Sequence, residues 1–284
     1  MNISPRTKLV GLIGHPVEHS LSPKLHNSLY EKYKLDYVYL AFDIVPDDVG
    51  KAVEALKILG FKGFNVTIPH KEKIIWFLDS LDTEAAIIGA VNTVKQEGGK
   101  LIGYNTDGMG FVDSIKRRGV ELKDKSALVL GAGGSARAIC VYLLKEGIRK
   151  LHIYNRTKEK ALDLIEHLER FFPCTSLGYV AGEDINCVHP DLVINTTPVG
   201  MWPHIDVMPI ENFEFLPHMT VVDIIYNPLE TLFLKKARQT GCITINGLDM
   251  LVGQAIKAIE IWTGVKVDYD EAIRTLSEKD KSLL

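Results

Sequence analysis

Residues 126–138 read SALVLGAGGSARA, and no other stretch restricts the fold as strongly. Ala127-Leu128-Val129-Leu130 is an apolar run of strand length. Gly131-Ala132-Gly133-Gly134-Ser135-Ala136 follows at once. A helical pattern comes next, with Ala138, Val141, Tyr142 and Leu144 apolar and Gly147 as its stop. Strand, glycine turn and helix form the context in which a GxGxxA string binds a dinucleotide. Gly131 permits the tight turn, Gly133 lets the backbone approach a pyrophosphate, and Ala136 is the small residue where helix and strand pack. The helix N-terminus then offers free N–H groups and a positive dipole end to phosphate.

The next strand, Leu151–Tyr154, ends in Asn155-Arg156-Thr157, with Lys160 shortly after. An NAD site places Asp or Glu at this strand end, to bind the ribose 2′-hydroxyl. An acid would repel a 2′-phosphate, whereas a guanidinium pairs with it through two charge-assisted hydrogen bonds. Asn155 and Arg156 therefore point to NADP.

The chain of 284 residues is long enough for two domains with separate cores. A net charge of −3 gives no electrostatic case for nucleic acid or an anionic membrane. The four cysteines, Cys140, Cys174, Cys187 and Cys242, lie far apart without metal-ligand spacing, so neither zinc nor disulfides are expected. The N-terminal apolar stretch is too short for a signal peptide, and no run reaches membrane-span length. A cytoplasmic α/β protein is expected.

Before the glycine turn, strand and helix patterns alternate, which argues for an α/β sheet with crossover connections. Strands are expected at Lys8–Ile13, Tyr37–Phe42, Gly63–Ile68, Ala90–Val94 and Leu101–Tyr104. Helices are expected at Lys24–Lys34, with Ser22 as N-cap, at Asp47–Leu59, from His70-Lys71 to Phe77, at Thr83–Ile88 with Thr83 as cap, and at Gly110–Arg118. Polar residues recur at strand ends: Ser20 and Ser22; Asn65, Thr67 and Lys71; Asn92; Asn105 and Asp107. Ligands of open α/β sheets bind outside the carboxyl ends of strands, so this half reads as a substrate domain. Ser20 and Ser22 either cap a helix or form an anion site at its N-terminus.

After Asn155, a helix is expected to about Phe172. Strands follow at Asp191–Asn195, Thr220–Ile225 and Cys242–Ile245, and helices at Leu229–Thr240, Leu248–Trp262 and Tyr269–Leu276. Periodicity leaves two positions open for the last helices, over the cofactor sheet or back against the first domain. The tail Ser277–Leu284 is charged and expected to fray.

Taken in order, these strings resemble the shikimate dehydrogenase family. They are His19-Ser20-Leu21-Ser22-Pro23, Asn65-Val66-Thr67-Ile68-Pro69-His70-Lys71, Gly89-Ala90-Val91-Asn92-Thr93 and Gly103-Tyr104-Asn105-Thr106-Asp107-Gly108. The glycine turn, Asn155-Arg156-Thr157, Asn195–Met201, Tyr226-Asn227-Pro228 and Gly247–Gln254 complete the match. The resemblance implies two α/β domains with a cleft between them. Residues 1–107 plus 248–284 would form the substrate domain, and 108–247 a Rossmann-type NADP domain. It implies that Ser20, Ser22 and Tyr226 hold the substrate carboxylate. Thr67, Lys71, Asn92, Asp107 and Gln254 would surround the ring hydroxyls, and Gly247 would join the glycine turn, Asn155, Arg156, Thr157 and Lys160 around NADP. The enzyme would be a monomer or homodimer acting on shikimate and 3-dehydroshikimate in aromatic amino-acid biosynthesis. Two positions depart from the family. Lys160 stands where a second arginine is usual, which keeps the charge and loses the bidentate fork. Asn246 stands where aspartate is common.

Reduction of a carbonyl needs a hydride from the cofactor and a proton from the protein. Lys71 is the candidate acid, with Asp107 to orient it. Among the histidines, His15, His19, His26 and His70 lie near enough in sequence to compete. Three alternatives remain at this point: a quinate/shikimate dehydrogenase using NAD or both cofactors, a methylenetetrahydrofolate dehydrogenase, and a non-catalytic NADP-binding regulator. Ser20 and Ser22 suit a compact carboxylate better than a pterin. The presence of both Lys71 and Asp107, without a basic recognition helix, speaks against a regulator.

Overall fold

The structure is a computed structural model and describes residues 3–279. From residue 280 on, the tail expected to fray lies outside the described residues.

In chain order the elements begin with β1 (Lys8–Gly14), α1 (Ser22–Lys32), β2 (Tyr37–Asp43), α2 (Val49–Ile58), β3 (Gly63–Val66) and β4 (Ser80–Leu81). Next come α3 (Thr83–Ile88), β5 (Thr93–Glu97), β6 (Lys100–Tyr104), α4 (Asp107–Arg117), β7 (Ser126–Leu130), α5 (Gly134–Lys145), β8 (Lys150–Tyr154) and α6 (Lys158–Glu169). The chain ends with β9 (Ser176–Tyr179), β10 (Leu192–Asn195), β11 (Thr220–Asp223), α7 (Leu232–Gln239), β12 (Ile243–Ile245), α8 (Leu248–Thr263) and α9 (Tyr269–Lys279). No helix among the described residues is long and apolar enough to cross a membrane.

Two compact units result. One combines the chain up to Gly110 with the chain from Val252 on, and the other runs from Phe111 to Leu251. The unit borders fall inside α4 and α8, three or four residues beyond the helix starts at which the sequence reading divides the chain.

The first unit holds a six-stranded sheet of order β2-β1-β3-β5-β6-β4. β1 runs parallel to β2 and β3, whereas β5 is antiparallel to both β3 and β6. The sheet is therefore mixed and not built from crossovers alone. Gly98 and Gly99, at φ +57° and +77°, turn the chain into a hairpin of the primed type that matches strand twist. β1 and β3 are buried on both faces. One face packs Val49, Val53 and Leu56 of α2 onto Ile13, Phe64, Val66 and Val94. The C-terminal helices belong to this unit. Trp262 donates its indole N–H to the Val94 carbonyl at 2.9 Å, and the Tyr33 hydroxyl bonds Glu271. Of the two positions left open by periodicity, α9 and most of α8 take the one against the first domain, α9 packing on α1.

The second unit is a six-stranded, wholly parallel sheet of order β12-β11-β10-β7-β8-β9. The order reverses at β7, which lies between β8 and β10. That reversal is the topological switch point where doubly wound sheets bind nucleotides. β9 is absent from the sequence reading, because Ser176–Tyr179 is a short edge strand with no fully buried residue and no apolar run.

Several local expectations are corrected. Ser22 is the first residue of α1 and not its N-cap. The cap is Leu21, with no side-chain bond, and Ser20 Oγ accepts the Ser22 N–H at 3.3 Å. α3 is capped by Asp82, whose carboxylate accepts the Ala85 N–H, a contact worth about 1 kcal/mol. Asn92 precedes β5 and is not within a strand, and Lys71 lies in a turn before a short 3₁₀ helix at Lys73–Phe77.

Candidate active site

The register of the first sheet explains how distant residues meet. Leu12, Asn65, Thr93 and Tyr104 form one row across β1, β3, β5 and β6. Because β5 runs antiparallel, the residue before it and the residues after the other three strands leave the sheet at the same edge. Ser20, Ser22, Thr67, Lys71, Asn92, Asn105 and Asp107 all follow or precede strands at that edge. The loops after β1 and β3 are tied directly, Thr67 N–H to the Ile13 carbonyl and His15 N–H to the Ile68 carbonyl, each at 2.9 Å.

At the centre, Lys71 Nζ donates to Asp107 Oδ2 at 2.6 Å. The side chains are 12% and 6% exposed, so this is a largely desolvated ion pair and not a surface contact. Asn92 Nδ2 donates to the other carboxylate oxygen at 2.7 Å. The Val91 N–H donates to the Lys71 carbonyl at 2.8 Å, which seats the lysine turn beside Asn92. Asp107 is the first residue of α4, where a carboxylate is favoured by the helix dipole. The Asn105 side chain accepts the Asp107 N–H at 3.0 Å and donates to the Ala90 carbonyl at 2.9 Å, closing the turn. Gln254 is buried on α8. Its neighbour Gly253 meets Gly110, where a Cβ would come within 3.0 Å of backbone. That approach brings the helix bearing Gln254 against the helix headed by Asp107.

Three of the four competing histidines have other partners. His26 is fully buried, stacked on Tyr39 with centroids 4.1 Å apart, and burial pushes its pKa down to about 3. His70 Nε2 lies 2.6 Å from the Ile44 carbonyl, so that nitrogen carries the proton, and His15 pairs with Asp43. His19 is exposed.

In the second unit Gly131 adopts φ +114°, and a Cβ there would lie 2.4 Å from Thr196 Oγ1. Only glycine fits that turn. Gly133 meets nothing within 4 Å, leaving room for a ligand against the backbone, and it is the N-cap of α5. Ala132 and Ala136 are buried, and Gly134 and Ser135 begin the helix with their N–H groups at its open end. This arrangement fits a pyrophosphate. Asn155 Nδ2 donates to the Thr157 carbonyl at 2.8 Å and shapes the turn after β8. Thr157 is the N-cap of α6 without a side-chain bond, and Arg156 and Lys160 are exposed beside it. Cations gathered at a helix N-terminus oppose the dipole, a cost that a bound phosphate would reverse.

Gly247 has no room for a side chain, because a Cβ would lie 2.0 Å from the Ile224 carbonyl oxygen. Asn246 accepts the Leu248 N–H at 3.2 Å, so its side chain serves the start of α8, a role an aspartate fills equally well. Tyr226 is half-buried in the segment between β11 and α7 of the second unit. Asp223, three residues earlier, is fully buried and was not singled out from sequence. It accepts from Asn195, the Ile225 N–H and Thr231, and desolvation raises its pKa to about 6. Thr93, Thr106 and Asn65 also carry more of the site's geometry than their appearance as ordinary strand-end residues signals.

The second unit carries the glycine turn of a dinucleotide-binding sheet, and the first carries a buried lysine–carboxylate pair. A chain with both belongs to the class of nicotinamide-dependent dehydrogenases. Comparison with known proteins narrows the class. Residues 12–94 match the profile of the shikimate dehydrogenase substrate binding domain, 113–185 that of shikimate / quinate 5-dehydrogenase, and 247–276 that of the shikimate 5′-dehydrogenase C-terminal domain. A shikimate dehydrogenase (NADP(+)) of Methanococcus aeolicus is 50% identical over 271 residues, covering 94% of this chain and 96% of that protein. The crystal structure of a shikimate dehydrogenase in complex with NADP+ is 42% identical, with a TM-score of 0.90 over 98% of this chain and 97% of that one. A shikimate 5-dehydrogenase of Listeria monocytogenes in complex with shikimate and NAD is 33% identical, with a TM-score of 0.87 over 97% of this chain and 98% of that one. The chain belongs to the shikimate dehydrogenase family.

Proposed function

We propose that the protein catalyses the reversible, NADPH-dependent reduction of 3-dehydroshikimate to shikimate in aromatic amino-acid biosynthesis, in the cytoplasm. The observation that carries this reading is the buried Lys71–Asp107–Asn92 constellation at the sheet edge of a chain whose relatives are shikimate dehydrogenases. NADPH supplies the hydride when bound. Lys71 hydrogen-bonds the carbonyl oxygen, stabilises the developing alkoxide and donates the proton. In the oxidative direction it takes the proton from the hydroxyl. Asp107 holds the ammonium in place, and Asn92 holds Asp107. Ser20 and Ser22, where α1 begins, together with Tyr226, bind the substrate carboxylate. Thr67, Asn92, Asp107 and Gln254 select its hydroxyl pattern.

Gly131–Ala136 hold the pyrophosphate, with Gly247 at the start of α8. Asn155, Arg156, Thr157 and Lys160 receive the 2′-phosphate. The NAD seen with the Listeria relative marks the alternative cofactor, and the lack of an acid at position 155 together with Arg156 favours NADP here. Initial rates with shikimate or quinate, each with NADP+ or NAD+, test the assignment. Shikimate with NADP+ should be the fastest pair. No turnover with shikimate and either cofactor would reject it.

A further inference from the structure

Behind the Lys71–Asp107 pair, buried polar side chains form a chain whose hydrogen bonds all run one way. Two backbone groups set the direction. The Asn92 carbonyl can only accept, and it takes Asn65 Nδ2 at 3.1 Å. The Asn65 amide therefore turns Oδ1 toward Tyr39, whose hydroxyl must donate, at 2.8 Å. Asn65 Nδ2 also donates to Thr93 Oγ1 at 2.9 Å. Thr93 then turns its own proton to Asn92 Oδ1 at 3.0 Å. The other nearby oxygen, Thr106 Oγ1, is at 3.4 Å and already accepts from Asn92. The Thr106 N–H can only donate, and it reaches the same Asn92 Oδ1 at 2.8 Å. With that oxygen held, Asn92 must present its NH₂ to Asp107 Oδ1, and Oδ2 is left to Lys71.

Tyr39, Asn65 and Thr93 are all buried, Thr93 completely, so they act on the reaction only through Asn92. We propose that Thr93, with Asn65 and Tyr39 behind it, is a positioning residue for proton transfer. Its hydroxyl is the joint that passes the orientation of Asn65 to Asn92, and so fixes the Asp107 carboxylate against Lys71. This inference rests on the function proposed above. Its physical basis is that buried polar groups polarise one another along a chain, and that a buried group losing its partner shifts or strains its neighbours. Proton-transfer groups tolerate little displacement.

The test is Thr93→Val beside Thr93→Ser, in shikimate-dependent reduction of NADP+. Valine keeps the shape, but it removes the acceptor for Asn65 and a donor for Asn92. Its kcat should fall about 5- to 30-fold with KM for shikimate within about twofold, because the loss bears on the transition state. Serine restores the hydroxyl and should return kcat to within about threefold of wild type. A valine variant that melts at lower temperature but keeps its kcat would overturn the proposal and leave Thr93 a structural residue. Should the valine variant not fold, Tyr39→Phe removes only the first donor of the chain. Its kcat should fall about 2- to 5-fold at unchanged KM, and an unchanged kcat overturns the proposal. Wild-type turnover is measured first. A wild type that does not oxidise shikimate rejects the function itself, a result distinct from an active wild type with an indifferent valine variant.

Discussion

Lys71 Nζ and Asp107 Oδ2 lie 2.6 Å apart, from residues separated by 36 positions and almost removed from solvent. Two charges so placed are stable only as a pair. Removing one partner of a buried ion pair costs about 3–5 kcal/mol, because the survivor stays desolvated without its counter-charge. Asp107→Ala should therefore lose stability on that scale in denaturant titration as well as turnover. A variant as stable as wild type would show that the lysine finds solvent or another carboxylate, contrary to the geometry described.

Arg156 should decide the cofactor. Charge-assisted hydrogen bonds are worth about 1.5–3 kcal/mol, so Arg156→Ala should weaken NADP+ binding about 10- to 100-fold and leave NAD+ nearly unchanged. Fluorescence titration of both cofactors reads this directly. Equal losses for the two would remove the 2′-phosphate from the Arg156 site.

His26 should make the protein acid-labile. Burial holds its folded pKa at about 3 against 6.5 when exposed. As pH falls below 6.5 the unfolded chain takes up a proton that the native state refuses, so stability present above pH 6.5 is lost progressively toward pH 3. At full extent the loss is roughly 4–5 kcal/mol. His26→Phe keeps a ring stacked on Tyr39 and removes the titration. Its acid unfolding should begin at lower pH, and an unchanged acid midpoint would exclude His26 as the cause.

Asp223 acts with the opposite sign in the second unit. Desolvation raises its folded pKa to about 6 from 3.8, so the native state binds this proton more tightly than the unfolded chain. The associated stability is fully present below pH 3.8 and lost as pH rises through 6, by roughly 3 kcal/mol. Asp223→Asn abolishes that dependence. The unfolding free energy of wild type relative to the variant should therefore fall between pH 4 and about pH 7. A difference that stays flat over this range would mean that Asp223 remains ionised throughout.

The dinucleotide half was legible because its information is local. Strand, glycine turn and helix occupy thirteen consecutive residues, and Gly131 at φ +114° is a backbone demand that only its own residue type meets easily. The substrate half was legible only as a list of polar strand ends. Their convergence depends on the antiparallel course of β5, which places Asn92 beside Lys71 and Asp107, and on the register that sets Asn65 opposite Thr93. Asn65 is legible only as one more polar strand end and Thr93 as an ordinary β-strand residue, because what distinguishes them is the direction of their hydrogen bonds. Asp223 shows the same limit. Its burial is a product of packing among β10, β11 and α7, and nothing in TVVDII announces it. Caps were misplaced by one residue at α3, where Asp82 and Thr83 are both good capping types and backbone geometry selects the first.

Under the proposed function, Lys71 handles the proton in an NADP-linked oxidation of shikimate. The most direct measurement is turnover of wild type and Lys71→Ala with both substrates saturating, followed by the absorbance of reduced nicotinamide. Wild type should reduce NADP+ on addition of shikimate, and the variant should turn over about 100-fold more slowly or worse, the scale of a positioned acid–base group. A variant with near-normal turnover and only a raised KM would contradict that role and leave Lys71 a binding residue.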